Sequence, residues 1–321
     1  MKYSEKFELE DLTQSDLDFL DGLIDKDVPL YIDPSQIEVQ EGKWFEGSAA
    51  IINSFFDRIL NLYREGKDKE AEDLLINAHE PNETKLGVSR GISQGKGTSP
   101  EKLIEVFRHV TNQGLLTDDL ITNYNDLNIF VKDFAEDRMS DLVTNILREK
   151  LAEYTIEQSN TYGLDLTEDP IEIGVAWDME TLNWKQVNKK ALLVDGSLLL
   201  LIPKSIVVQR YLYSVEEYLT KVVYSWRKEY HLENDTELVR KKFIKKHKKI
   251  VPFPPNNDTI IKNEIVDKGL KRKEYAIIMS KEKMDLIREF RTTVDHTLRG
   301  TNSNRLSDEA ITEIVNKRYR E

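Results

Sequence analysis

Apolar positions recur at helical spacing through the first half of the chain and change period near Asp169-Pro170. Ser15 to Ile24 reads as a short helix, followed by an extended Pro29-Leu30-Tyr31-Ile32-Asp33-Pro34. Gly47-Ser48 offers an N-cap for a helix through Phe55, Ile59, Leu62 and Tyr63 that stops near Gly66, with a partner helix over 68–78. Residues 80–98 read as a loop, and Ser99-Pro100 opens the next helix with a cap and a proline at its first position. After a turn at Gly114 comes the longest predicted helix, 137–159. Leu142, Ile146, Leu147, Leu151 and Tyr154 give it one apolar stripe, and Gly163 lies beyond its end.

Past Asp169-Pro170 the period becomes two. Ile171-Glu172-Ile173-Gly174-Val175 alternates as a strand does, and Asp195-Gly196 between 191–194 and 198–202 predicts a tight hairpin. The unbroken run Leu198 to Ile202 suits a strand covered on both faces. Ser214-Val215-Glu216-Glu217 has capping-box spacing, a basic helix is expected over 235–249, and Pro252-Phe253-Pro254-Pro255 breaks it. Two later helices are expected to start near Ser280 and Ser307, the first ended by Gly300. The fold class expected is α+β, mostly helical, with a small antiparallel sheet around 170–205. Its regions would be an acidic helical 1–165, a β-sheet 166–210 and a basic helical 211–321, forming one compact body.

Composition narrows the chemistry. Hydrophobic residues make up 39% and charged residues 32% of 321, enough apolar surface for a core with a heavily charged exterior. Cysteine is absent, which excludes disulfides and Cys-based zinc sites. Of five histidines, His109, His231, His247 and His296 lie far apart without ligand spacing, so a His-rich metal centre is not expected either. Met1-Lys2-Tyr3-Ser4-Glu5 leads into acidic sequence without an apolar signal core, and the longest apolar run, 198–203, is too short to cross a bilayer. A cytoplasmic protein with no membrane partner is expected. The net charge of −12 is uneven: residues 1–200 hold 20 Lys and Arg against 40 Asp and Glu, residues 201–321 hold 26 against 18. Such polarity can steer a polyanion or a complementary partner to one end. A plain solvated helix face at Lys241–Lys249 accounts for the basic run equally simply.

Three segments could carry chemistry. Asp137, Asp141 and Asn145 stand four apart, so a helix stacks them on one face. The two carboxylates suit a divalent metal such as Mg²⁺ or Mn²⁺, with Asn145 adding an oxygen ligand and Arg138 or Arg148 neutralising a phosphate. The competing reading makes Asp137 a cap favoured by the macrodipole, and Asp141 a surface partner of Arg138 or Arg148. The second segment, Glu83 to Thr98, holds Gly91, Gly95 and Gly97, whose backbone N–H groups could cradle an anion beside Arg90 and Lys96. It has neither a Walker A ending nor the strand that precedes a dinucleotide fingerprint. Glu83-x-Lys85 matches the last element of the PD-(D/E)xK nuclease signature, a two-residue match of little specificity; a surface loop is the alternative. In the third, Asp195 with Lys204, the acid expected two residues before the lysine is missing, so Asp195 reads as a turn residue. Trp177 and Trp184 read as core or cover of the same sheet.

Four of these stretches occur in order: Pro29 to Pro34; Leu86-Gly87-Val88-Ser89 with Gly95 and Gly97; Asp137-Arg138-Met139-Ser140-Asp141 with Asn145; and Leu200-Leu201-Ile202-Pro203-Lys204. Together they resemble an uncharacterised family of bacterial proteins associated with antiviral (phage) defence gene clusters, over most of 29–205. The resemblance implies a subunit of a multi-protein defence system working beside an ATPase or sensor, and it brings no established catalytic residues with it. It implies that Asp137, Arg138, Asp141, Asn145 and the glycine loop form one shared site. Two functions remain open on this basis. The first is a metal-dependent nuclease, with Asp137, Asp141, Glu83 and Lys85 at its centre and DNA or RNA held by Arg90, Lys96, Arg138, Lys241 and Lys245. The second is a non-catalytic partner-binding subunit of the same complex.

Overall fold

The Asp195-Gly196 turn closes the expected hairpin, with Leu192–Val194 antiparallel to Ser197–Leu199. The chain then runs on, buried, through Leu200, Leu201 and Ile202. Its backbone is taken up from several sides: Leu200 N–H donates to Glu83 O, Leu201 N–H to Thr155 Oγ1, and Ile202 O accepts from Leu20. The computed structural model describes residues 1–77, 81–87, 100–245, 249–300 and 304–320. It is α+β and mostly helical, and its described residues contain four two-stranded antiparallel sheets rather than one sheet around 170–205.

By contact the chain falls into two interleaved units, residues 1–114, 133–211 and 297–321 in one, residues 115–132 and 212–296 in the other. The first is built on the helix Lys43–Arg64, which starts after Gly42 rather than at Gly47-Ser48, and on Pro100–Asn112, Glu136–Ile146 and Arg148–Tyr162. A long antiparallel pair, Ile171–Asp178 with Asn183–Lys189, lays Trp177 and Trp184 edge-on against Phe55. Trp177 is buried and donates to Ser54 Oγ, while Trp184 donates to Leu74 O, so both act as core and cover. Residues 15–24 are not a helix. Leu17 and Phe19 alternate into the cluster of Tyr3, Leu164, Leu192, Leu199 and Leu201, and Phe19 bridges Pro203, so tertiary burial outweighs local helical tendency.

The predicted 137–159 helix is two helices that meet at Leu147. The Asn145 side-chain amide donates to Asp141 O, a carbonyl of the helical ladder, which is how short polar side chains loosen a helix interior.

The second unit is helical around Phe130, Tyr218 and Phe290, with Ser214 capping Val215–Tyr218 as its spacing predicts. Two π-helical turns, Leu219–Val223 and Ile261–Val266, interrupt its helices. Ser280 lies inside the helix Arg272–Glu282, and the next helix, Asp285–Arg299, begins after it. In the first unit Ser307 does open the last helix, its Oγ accepting from Ala310 N–H. The expected basic helix over 235–249 is a hairpin instead, Arg240–Ile244 antiparallel to Lys249–Phe253. Ile244, Ile250 and Val251 are β-branched and Pro252 cannot continue a helix, which tips this run to strand. Among the described residues no helix is long and apolar enough to cross a membrane.

Candidate functional site

Arg148 is the pivot of the first unit. It is 1% exposed, although it sits in the stripe of Ile146, Leu147 and Leu151 where an apolar residue would be expected. Its Nη1 donates to Glu83 Oε1 at 2.6 Å and to Ile173 O at 3.1 Å, and its Nη2 donates to Asn145 Oδ1 at 2.9 Å. Gly174, at φ +104, makes room for it: a Cβ there would stand 3.2 Å from Arg148 Cδ and Nε. A buried guanidinium is tolerated only with a counter-charge and filled hydrogen bonds, and three separate segments supply them. The filling is incomplete: Glu83 Oε2 and Arg148 Nε are buried without a hydrogen-bond partner among the described residues.

The wall beside this network carries the acids. Ile32 N–H donates to Ser140 Oγ, tying the short strand Tyr31–Ile32 to the helix Glu136–Ile146. The Tyr211 hydroxyl reaches Ile32 O and, at 3.3 Å, Glu136 O. Tyr31 therefore faces Glu136, Asp137 and Asp141. Burial first, and then those three charges, push its phenol up to about 12, so it keeps its proton at neutral pH as a hydroxyl donor. The 83–87 segment lies along the same wall. Val28 N–H donates to Lys85 O and Gly87 N–H to Val28 O. At φ +112, Gly87 comes so near Asp137 that a Cβ would sit 3.3 Å from its Oδ1.

The four stretches 29–34, 86–87, 137–145 and 200–202 thus meet in space, and Glu83 joins them to Arg148. Asp137 is exposed and Asp141 half-buried on the helix Glu136–Ile146, and Arg138 and Lys85 are half-buried beside them. Asp137 lies in the first turn, favoured by the macrodipole, but the N-cap is Ala135. Arg148 is no surface partner of Asp141. Asn145, expected as a metal ligand, is fully buried with its oxygen turned to Arg148 and its amide to Asp141 O. Among the described residues no three His, Asp or Glu side chains stand close enough to hold one ion together.

Arg90, Lys96 and the glycines Gly91, Gly95 and Gly97 lie outside the described residues. Lys241 and Lys245 are exposed on the hairpin of the second unit. Asp195 is a turn residue, exposed and paired with Lys6, while Lys204 pairs with Asp308. The roles of Arg148 and Gly174 escape a reading by pattern. Two local signals did exist: an arginine inside an apolar stripe, and a glycine inside an alternating strand.

A cleft of about 890 Å³ lies elsewhere in the first unit, between Thr13–Ser15 and the last helix near Asp308, Thr312 and Asn316. Buried polar atoms without a hydrogen-bond partner occur in both units, at Asn128 and Gln158 for example, but those of Glu83 and Arg148 adjoin the acidic wall, and this is where the candidate site lies.

The chain belongs to the family described as Domain of unknown function (DUF8370), whose model matches residues 8–214. No curated protein and no solved structure matches it. The matched range holds every residue of the Arg148 network and the acidic wall, and ends before the basic hairpin.

Proposed function

We propose that this chain is the nuclease effector of a bacterial anti-phage defence system, dependent on Mg²⁺ or Mn²⁺ held by Asp137 and Asp141. One observation carries the reading. Segments far apart in sequence converge on an acidic wall beside a buried Arg148, whose partner Glu83 keeps Oε2 without a hydrogen-bond partner among the described residues. Mg²⁺ is commonly held by one or two carboxylates and several waters, so two aspartates one helical turn apart fit it without a third protein ligand. Asn145 does not fit as a ligand, because its oxygen is engaged by Arg148.

When bound, the ion would activate water and offset charge on a phosphodiester. Tyr31 would donate a hydrogen bond from its protonated hydroxyl at the acidic wall. Lys85 and Arg138 would balance phosphate charge, and Lys241 and Lys245 would contact the nucleic-acid backbone. Arg148 holds the wall in place through Glu83 and Asn145. The antiviral setting, a cytoplasmic one with an ATPase or sensor as partner, is supported by the resemblance of the four ordered motifs.

The test is cleavage of plasmid, single-stranded DNA and RNA by the purified chain with Mg²⁺ or Mn²⁺, with chelator, and beside Asp141→Asn. The reading predicts chelator-sensitive cleavage lost in the variant while its circular dichroism and melting are retained. The Asp141 carbonyl that receives Asn145 is backbone, so the substitution leaves that bond in place. Absence of cleavage on every substrate, with a folded wild type, would count against it.

Asn145 also favours a second reading, a non-catalytic partner-binding subunit. Both ends of its amide are spent inside the protein, as in a network that braces structure. Under that reading Asp141→Asn leaves every catalytic assay unchanged and weakens capture of another defence subunit.

A further inference from the structure

The basic run of the second unit forms a two-stranded ribbon whose exposed groups are both cationic and apolar. In its ladder Lys241 faces Pro252, Phe243 faces Ile250 and Ile244 faces Lys249. Directly paired residues share a face, and alternate residues along a strand lie on opposite faces. One face therefore presents Lys241, Phe243, Ile250 and Pro252, all exposed, with Phe243 at 60% and Ile250 at 65%. The other carries Arg240, Lys242 and Lys249 around the half-buried Ile244, Val251 and Phe253, and Lys242 Nζ stands 6.0 Å from the Phe253 ring centroid. A phenylalanine and an isoleucine standing free side by side, with lysines beside them and behind, serve no core in this structure.

We infer that this ribbon is a docking element for double-stranded DNA, lying in a groove with its Phe243–Ile250 face toward the base edges. The partner is chosen by charge and shape. Arg240, Lys241, Lys242, Lys245 and Lys249 complement a polyanion, and among the described residues only Lys241 of these five pairs with an acid, Asp235 at 2.8 Å. A two-stranded ribbon fits the major groove of B-form DNA, where apolar side chains meet thymine methyl groups, while the deep groove of A-form RNA excludes it. A membrane surface suits the ribbon less. Phe243 and Ile250 offer little apolar area to bury in it, and Lys241 lies on the same face. The inference rests on the nucleic-acid part of the function proposed above and is independent of its metal site.

The experiment measures anisotropy of a short labelled DNA duplex with the full-length chain, in chelator so that cleavage is silent, over a range of salt. A matched RNA duplex and phosphatidylserine vesicles are the competitors. Wild type is expected to bind DNA with an affinity falling steeply with salt. Lys241→Ala with Lys245→Ala should weaken it at least about tenfold and flatten the log–log salt slope by about 2, each lost phosphate contact removing about 0.9. Phe243→Ala with Ile250→Ala should weaken it by roughly three- to tenfold with the slope unchanged, as for loss of base-edge contacts. These side chains are exposed, so the variants should melt as wild type does. Binding of vesicles or duplex RNA in preference to DNA would overturn the proposal, and so would DNA binding that both double variants retain. Metal-dependent cleavage with an inert ribbon would leave the nuclease reading standing and this one refuted.

Discussion

Each unit buries an arginine on a carboxylate, and the two do it differently. In the first, Arg148 is held by Glu83, Asn145 and one carbonyl, and Glu83 remains 22% exposed with Oε2 unpartnered among the described residues. In the second, Arg227 grips Glu264 with Nε on Oε2 at 2.9 Å and Nη2 on Oε1 at 2.5 Å. His231 Nε2 lies 2.8 Å from Oε1, and the Tyr275 hydroxyl donates to Oε2. His231 Nδ1 continues to Thr236 Oγ1 at 2.8 Å, and the guanidinium stacks 4.2 Å from the Tyr230 ring centroid. Burial works to raise the Glu264 carboxyl, but hydrogen bonds from Arg227 and Tyr275, the Arg227 charge and His231 outweigh it and hold it low. A carboxylate with every position filled is a structural clasp. One with an oxygen left over, beside an acidic wall and a close-packed glycine, has room for chemistry.

The largest effect should come from breaking the clasp. Glu264→Gln keeps the shape and removes the charge that Arg227 is buried against, and should cost about 3–5 kcal/mol in urea unfolding. Because its carboxyl is held low, the stability it contributes is present above the ordinary glutamate value and is lost as pH falls through the folded value.

A third buried carboxylate sharpens the contrast. Asp33, 1% exposed, caps the helix Pro34–Glu38 and carries no ion pair among the described residues. Burial raises its carboxyl to about 6, against hydrogen bonds from Ser35 that lower it. The folded state thus binds the proton more tightly than the unfolded chain, so Asp33 costs stability as pH rises from about 4 to about 6 and nothing further above. Asp33→Asn keeps a capping oxygen and removes that slope. Its stability relative to wild type should improve by up to about 3 kcal/mol between pH 3 and pH 7, read from unfolding curves at each pH. Asp21 is also raised, but it titrates equally in both proteins and cancels in the difference.

Glu83→Gln should cost less than Glu264→Gln, about 1–3 kcal/mol. Its Oε1 can still accept from Arg148, and its partial exposure lets water screen the guanidinium left behind. Equal losses in the two variants would erase the distinction between clasp and open network.

What could be read from sequence follows from how locally each feature is determined. The Asp195-Gly196 hairpin and the Ser214 cap are set by residues within a few positions, and both form as their spacing predicts. The 15–24 and 235–249 segments differ from the helices expected because burial and pairing beyond the i to i+4 range decide them. Leu17 and Phe19 answer to a leucine hairpin some 180 residues away, and the lysine-rich run answers to cross-strand pairing. At the site, the Asp137–Asp141 spacing was legible because a helix dictates it. The Arg148–Glu83 pair, 65 residues apart, was not, and neither was the use of Asn145 as its acceptor. No periodicity reports such a pair; the fold creates it. The Arg227–Glu264–His231 clasp was invisible for the same reason, since His231 has no ligand spacing in the chain.

The central claim is that the acidic wall beside the unfilled Glu83 holds a divalent cation through Asp137 and Asp141. Calorimetric titration of Mn²⁺ into the full chain tests it most directly, beside Asp137→Asn and Asp141→Asn. The account predicts a saturable site in the wild type that is lost or strongly weakened in both variants, with their melting unchanged. A wild type that binds no Mn²⁺, or variants that bind it as well as the wild type does, would contradict it.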